Sequence, residues 1–210
     1  IRDVERSRGL GDVYKRQGLK DKLKNYSIFL IITFLIQCSQ GSYYQMATNN
    51  PHRLIALEDS LSKKELGYKK KEALTIAHKS IGLSKMKNKQ YIKAKIHFEK
   101  ALFYSEVDSI ARYSLYMIEG HLLRNTGKKE KLWDAIQMYN KAARLKPISG
   151  EPYFFIGKSY QSLGNKDFDL ILESYQKALN LKLSKEIKEK VEREYSLVAD
   201  REKKLKNFWK

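Results

Sequence analysis

The sequence predicts an all-α fold: antiparallel helix pairs stacked in about three repeats and closed by one long C-terminal helix. Three observations predict it. Apolar residues recur at spacings of three and four over runs of roughly 12 to 18 residues, the period of helices with one buried face. The runs break at Lys87-Asn88, Ser105-Glu106, Gly127-Lys128, Lys146-Pro147, Gly164-Asn165 and Lys182 to Ser184, with no alternating stretch that would make a strand. Three segments carry an aromatic residue three positions before an alanine: Phe98 and Ala101, Tyr139 and Ala142, Tyr175 and Ala178.

Taken in order, residues 1–17 have no clean period, and the first methionine is Met46. They are read as a non-native leader outside the fold. Residues 18–37 read as a signal peptide. Lys20, Lys22 and Lys24 precede the uncharged run Ile28 to Ile36, and a helix needs about 20 apolar residues to span a bilayer. The run stops at Cys38, the single cysteine, which excludes a disulfide framework and a cysteine-based zinc site. Leu35-Ile36-Gln37-Cys38 resembles the lipobox of a bacterial lipoprotein signal, although Gln37 stands where a small residue is usual. The resemblance implies acylation of Cys38 as the mature N-terminus and a membrane attachment through that lipid. With Ser39 following, it also implies an outer-membrane, periplasm-facing location. The other reading of 28–36 is an uncleaved anchor. Residues 38–66 are polar and weakly periodic, and are read as a lipid-anchored tether with a short helix around Leu54 to Leu61.

Residues 67–183 hold the repeat. Each aromatic–alanine segment follows a helix with a glycine on its inner side: Gly82, Gly120 and Gly157, which are 38 and 37 residues apart. Ala94 and Ala135 supply a second small residue in the first two repeats, with Ile171 in the third. Glycine and alanine let paired helices approach, and the aromatic fills the groove they leave. Tyr160, the turn glycines Gly127 and Gly164, and Pro147 at the end of the second unit complete a pattern that resembles the tetratricopeptide repeat. The extra residues beyond its ideal length fall in turns, where insertions are cheapest. The resemblance implies a right-handed solenoid. Residues 184–210 read as a capping helix with Ile187, Val191, Tyr195, Val198 and Leu205 on a narrow stripe.

No constellation argues for chemistry. There is no phosphate-binding glycine loop, and His52, His78, His97 and His121 lack zinc spacing. No catalytic residue, metal or cofactor is expected, and the chain is not expected to be an enzyme. The net charge of +18 raises nucleic acid as a partner, yet most of the 42 basic residues are lysine. Lysine is a hydrated point charge less suited than arginine to reading phosphates, so the charge is read chiefly as solvated surface.

The tetratricopeptide resemblance implies a concave groove for a protein or peptide segment. Carried over by position, Met86, Met117 and Phe154 would form an apolar floor, and Lys79, Arg124 and Lys158 a basic rim. His121 and Gln161 would line the same groove. The family's two-carboxylate clamp is absent, because Leu83, Ile118, Glu151 and Phe155 occupy positions that need polar or basic groups. The expected function is a membrane-tethered scaffold or adaptor, with a role in envelope assembly. The alternative is a basic helical array binding nucleic acid or another anionic polymer, with 28–36 as an uncleaved anchor. Self-association through the groove is a third possibility.

Overall fold

The structure is a computed structural model and describes residues 42–62, 66–164 and 167–208. The leader, the Ile28 to Ile36 run and Cys38 lie outside the described residues. Residues 42–49 are helical (α1) and are followed by α2 (Pro51–Ala56) and α3 (Glu58–Ser62). Six further helices make three pairs: α4 (Tyr68–Lys87) with α5 (Tyr91–Tyr104), α6 (Ser109–Arg124) with α7 (Lys129–Leu145), and α8 (Glu151–Leu163) with α9 (Phe168–Leu179). The long α10 (Lys185–Phe208) ends the described chain. Among the described residues every regular element is a helix, and the only extended contact is an isolated bridge between Ser149 and Lys182. None of these helices is long and apolar enough to cross a membrane.

Local chemistry sets the helix ends. Asn50 caps α2 by accepting from the Arg53 N–H at 3.2 Å, and Pro51 follows at the first position, where its missing N–H costs nothing. Asp108 caps α6 by accepting from the Ala111 N–H at 2.8 Å. Ser184 does the same for α10, accepting from Ile187 at 3.3 Å. The α4–α5 turn is a Schellman closure: the Gln90 N–H donates to the Lys85 carbonyl and the Lys89 N–H to that of Met86, both at 2.9 Å. That closure puts Lys89 at φ 58°. Gly127 takes φ 69° in the α6–α7 turn, 38 residues later, so the first pair uses lysine where the second uses glycine.

Packing runs from each helix to its chain neighbour, from α4 to α10, while α2 packs on α4. Within each pair a glycine meets a ring. A methyl group on Gly82 would stand 3.0 Å from the Phe98 ring, and one on Gly157 would stand 2.5 Å from that of Tyr175. At Gly120 the clash with Tyr139 would be closer still. Phe98, Tyr139 and Tyr175 are fully buried, as are Ala94, Ala101, Ala135, Ala142, Ile171 and Ala178 beside them. Tyr160 packs against both the Tyr139 and the Tyr175 clusters. Val191 and Val198 of α10 are buried in the Tyr175 cluster, so α10 covers the open side of α9.

Within the stretch read as a tether with a short helix around Leu54 to Leu61, the described residues 42–62 are more helical than that reading expected and pack on α4. Residues 42–62 are helical, and Ala47 and Leu54 are wholly buried with Ala73, Leu74 and Ala77 of α4. Tyr43, Met46, Ile55 and Leu61 pack beside them, against the alanine-rich face that α4 offers.

Three variants test this packing and the α4–α5 turn. Gly120→Ala lowers stability by about 1–3 kcal/mol, because a buried ring must shift. Gly67→Ser, at an open cap position with no neighbour within 4 Å, stays within about 0.5 kcal/mol of the parent. Urea unfolding of both variants checks this, and equal stability of the two would remove the glycine–ring argument. Lys89→Gly raises stability by roughly 0.5–1 kcal/mol by relieving the left-handed backbone; an unchanged midpoint in the same titration would contradict it.

Candidate functional site

The residues expected to line a groove lie on α4, α6 and α8, and the structure gives them unequal roles. Met117 and Phe154 are closed off: both are buried in interhelical clusters with Tyr139 and Tyr175 respectively. Met86 is partly buried between two clusters. The apolar floor is therefore packing, because the neighbouring helices close over it.

The basic rim is mostly committed within the chain. Lys79 Nζ donates to Asp108 Oδ2 at 2.6 Å, joining α4 to the capped start of α6. Lys158 Nζ donates to Glu194 Oε1 at 2.9 Å, joining α8 to α10. The Gln161 amide nitrogen reaches Glu194 Oε2 at 3.4 Å, while its oxygen accepts from the Tyr175 hydroxyl at 3.1 Å. Arg124 differs. It has no ion pair among the described residues. Its guanidinium sits 5.6 Å from the centre of the Phe155 ring, and its Nε is buried without a hydrogen-bond partner. The guanidinium also lies against the Tyr139 hydroxyl, and the unsatisfied Nε donor costs about 1–3 kcal/mol.

His121 is next to this group and is buried rather than presented to a ligand. Its ring lies 4.4 Å from that of Phe155 and 4.9 Å from that of Tyr91, and its Nδ1 is 2.9 Å from the Tyr139 hydroxyl. Burial, with Arg124 adding to it, pushes its pKa down to about 3, so the imidazole is neutral at pH 7. Burial also raises the Tyr139 phenol above its ordinary value. These groups hold one another in place.

A second polar cluster was not legible in the sequence. Glu58 of α3 is buried, and its carboxylate accepts from Tyr104 at 2.5 Å, Lys100 at 3.1 Å and His78 Nε2 at 3.2 Å. Burial works to raise the Glu58 pKa, but the bonds from Tyr104 and Lys100 and the nearby His78 hold it below the usual carboxylate value. The ionised carboxylate can only accept, so His78 donates from Nε2. Burial lowers the His78 pKa to about 4 against the opposing pull of Glu58. Neutral His78 therefore accepts at Nδ1 from His97 Nδ1, 3.0 Å away. Glu58 thus fastens α3 to α4 and α5. Among the described residues no group of three or more histidine, cysteine or acidic side chains is arranged to hold a metal ion.

Sequence reasoning missed Glu58, Asp108 and Glu194. Asp108 had a usable signal as a capping residue just before a helical run; Glu58 and Glu194 had none. No family model matches the chain, and no curated protein matches it.

The histidines make stability depend on pH. His78 and His121 have folded pKa values near 4 and 3, below the unfolded value of about 6.5. Their contribution is complete above pH 6.5 and is lost as pH falls toward the folded values. His97, lowered by burial, acts in the same direction, while Glu151, raised by burial, opposes it. Urea unfolding at pH 7 and pH 5 checks the sum, with an expected loss of about 2 kcal/mol for each of His78 and His121. Equal stability at the two pH values would show that these imidazoles are not held neutral.

Proposed function

We propose that the chain is a membrane-tethered, tetratricopeptide-type adaptor that holds a segment of another protein against the α4, α6 and α8 face. The repeat reading is supported by three helix pairs with a glycine against an aromatic ring at intervals of 38 and 37 residues. It is further supported by positive φ at Lys89 and Gly127 in equivalent turns. Lipid attachment at Cys38 and a periplasm-facing position complete the proposal, and rest on the Leu35 to Cys38 pattern.

One observation carries the binding role: Arg124 is the basic rim residue whose charge has no carboxylate partner among the described residues, and its Nε lacks an acceptor. The other two rim cations are neutralised by Asp108 and Glu194. A protein segment bringing a carboxylate, from an acidic side chain or a chain terminus, would meet Arg124 with a charge-assisted bond and stack its neighbours beside Phe155. No catalysis is assigned to the site.

A photo-cross-linker at Leu83, which is exposed on α4, in cells making the full chain tests the reading. The adduct should be a discrete envelope protein. Arg124→Gln should cut its yield about tenfold, the scale of one lost charged hydrogen bond, without lowering Tm. Adducts insensitive to this substitution would reject Arg124 as the anchor. Adducts to nucleic acid that vanish between about 50 and 200 mM salt would favour the polymer-binding alternative. Intact mass of the N-terminus tests the lipid separately.

A further inference from the structure

The chain enters the helical array at one of its two long edges. Lys70 Nζ stands 5.8 Å over the Tyr43 ring, so the first turn of α1 lies beside the first turn of α4. Tyr104, the last residue of α5, packs with the Ala47–Leu54–Leu74 cluster, which brings the α5–α6 turn to the same edge. Tyr68, Phe103, Val107 and Ile110 stand along it, with 80%, 76%, 90% and 54% of their surface exposed. Lys69 and Lys71 are exposed there as well. Asp108 on this edge is already held by Lys79. Trp133, at the start of α7, lies on the opposite edge, beyond the α6–α7 turn.

Only three residues separate Cys38 from the first described helical residue, Ser42. Whatever their conformation, the four chain steps reach at most about 14 Å. A lipid on Cys38 therefore keeps the entry edge within about that distance of the headgroups. Large exposed apolar tips beside lysines are the composition that binds an anionic interface, with the apolar groups entering the headgroup–acyl boundary and the ammonium groups meeting phosphates. Resting on the lipid-anchored reading above, we infer that the edge bearing Tyr68, Phe103, Val107 and Ile110 lies on the anionic lipid surface. The opposite edge faces away from it.

Lipids brominated near the glycerol end of their acyl chains quench tryptophan at that depth and test the orientation. The full acylated chain is reconstituted in vesicles of phosphatidylglycerol and phosphatidylcholine in two versions. One carries Val107→Trp with Trp133→Phe and Trp209→Phe; the other carries Trp209→Phe alone and keeps Trp133. Emission from residue 107 should fall at least about twofold, as burial at the interface requires, while that from Trp133 stays unchanged. Equal quenching of both, or of neither, would overturn the orientation. Equal quenching of residue 107 on purely zwitterionic vesicles would overturn the role of the lysines. Intact mass is read on the same samples. If Cys38 carries no acyl group, the lipid-anchored reading fails, and quenching of the unacylated chain on the anionic vesicles then decides the edge by itself.

Discussion

Gly82 against Phe98, Gly120 against Tyr139 and Gly157 against Tyr175 hold the helices of each pair at backbone-to-ring distance, and most other burial follows from that spacing. A side chain at any of the three glycines would push the paired helix away and open the alanine contacts at Ala101, Ala142 and Ala178. Interiors pack at crystal-like density, so such a gap is not filled by small adjustments. The same spacing explains why successive helices pack chiefly on their chain neighbours. Each ring packs first within its own pair, and flanking residues such as Met86 and Tyr160, each of which touches two clusters, then bridge from one pair to the next.

The choice of ring decides where polar groups must go. Phe98 has no hydroxyl and asks nothing of its surroundings. Tyr139 and Tyr175 bring a phenol into the interior, and each needs a partner. Tyr139 finds His121 and Tyr175 finds Gln161. Both partners sit at positions where the repeat resemblance implies a ligand-facing side chain, yet both are occupied by the protein's own tyrosines. Position within a repeat gives a direction, and the ring opposite determines whether that direction is free. In the first pair, which lacks the phenol, the buried polar cluster instead forms around Glu58 and joins α3 to α4 and α5.

How much could be read beforehand follows from which physical signals are local. Helix boundaries were legible because Asn88, Gly127, Pro147 and Gly164 are breakers at the ends of periodic runs. The glycine–aromatic partners were visible as a fixed spacing. The folding of 42–62 onto α4 was not, since the burial of Ala47 and Leu54 depends on a surface built later in the chain. Nor were the ion pairs that occupy the rim. Lys79 and Asp108 are 29 residues apart, and Lys158 and Glu194 are 36 apart. A lysine-rich sequence offers many such pairings, and only the fold selects among them.

The selection leaves a division of labour across the surface. Net charge spread over solvated lysines adds long-range attraction to anions without specifying one. Specificity requires a charge that is fixed, partly desolvated and uncommitted, because there the competing water has been removed. Arg124 is fixed and partly desolvated and has no carboxylate partner among the described residues, although its guanidinium also lies against the Tyr139 hydroxyl, whereas Lys79 and Lys158 are fixed but already neutralised. The entry edge has the opposite character: its lysines and apolar tips are exposed, so it suits a broad, deformable surface rather than a shaped ligand. Because Arg124 is at the far end of α6 from the α5–α6 turn, a contact at one place leaves the other accessible. The proposed attachment and the proposed capture would therefore use separate ends of the same short helices.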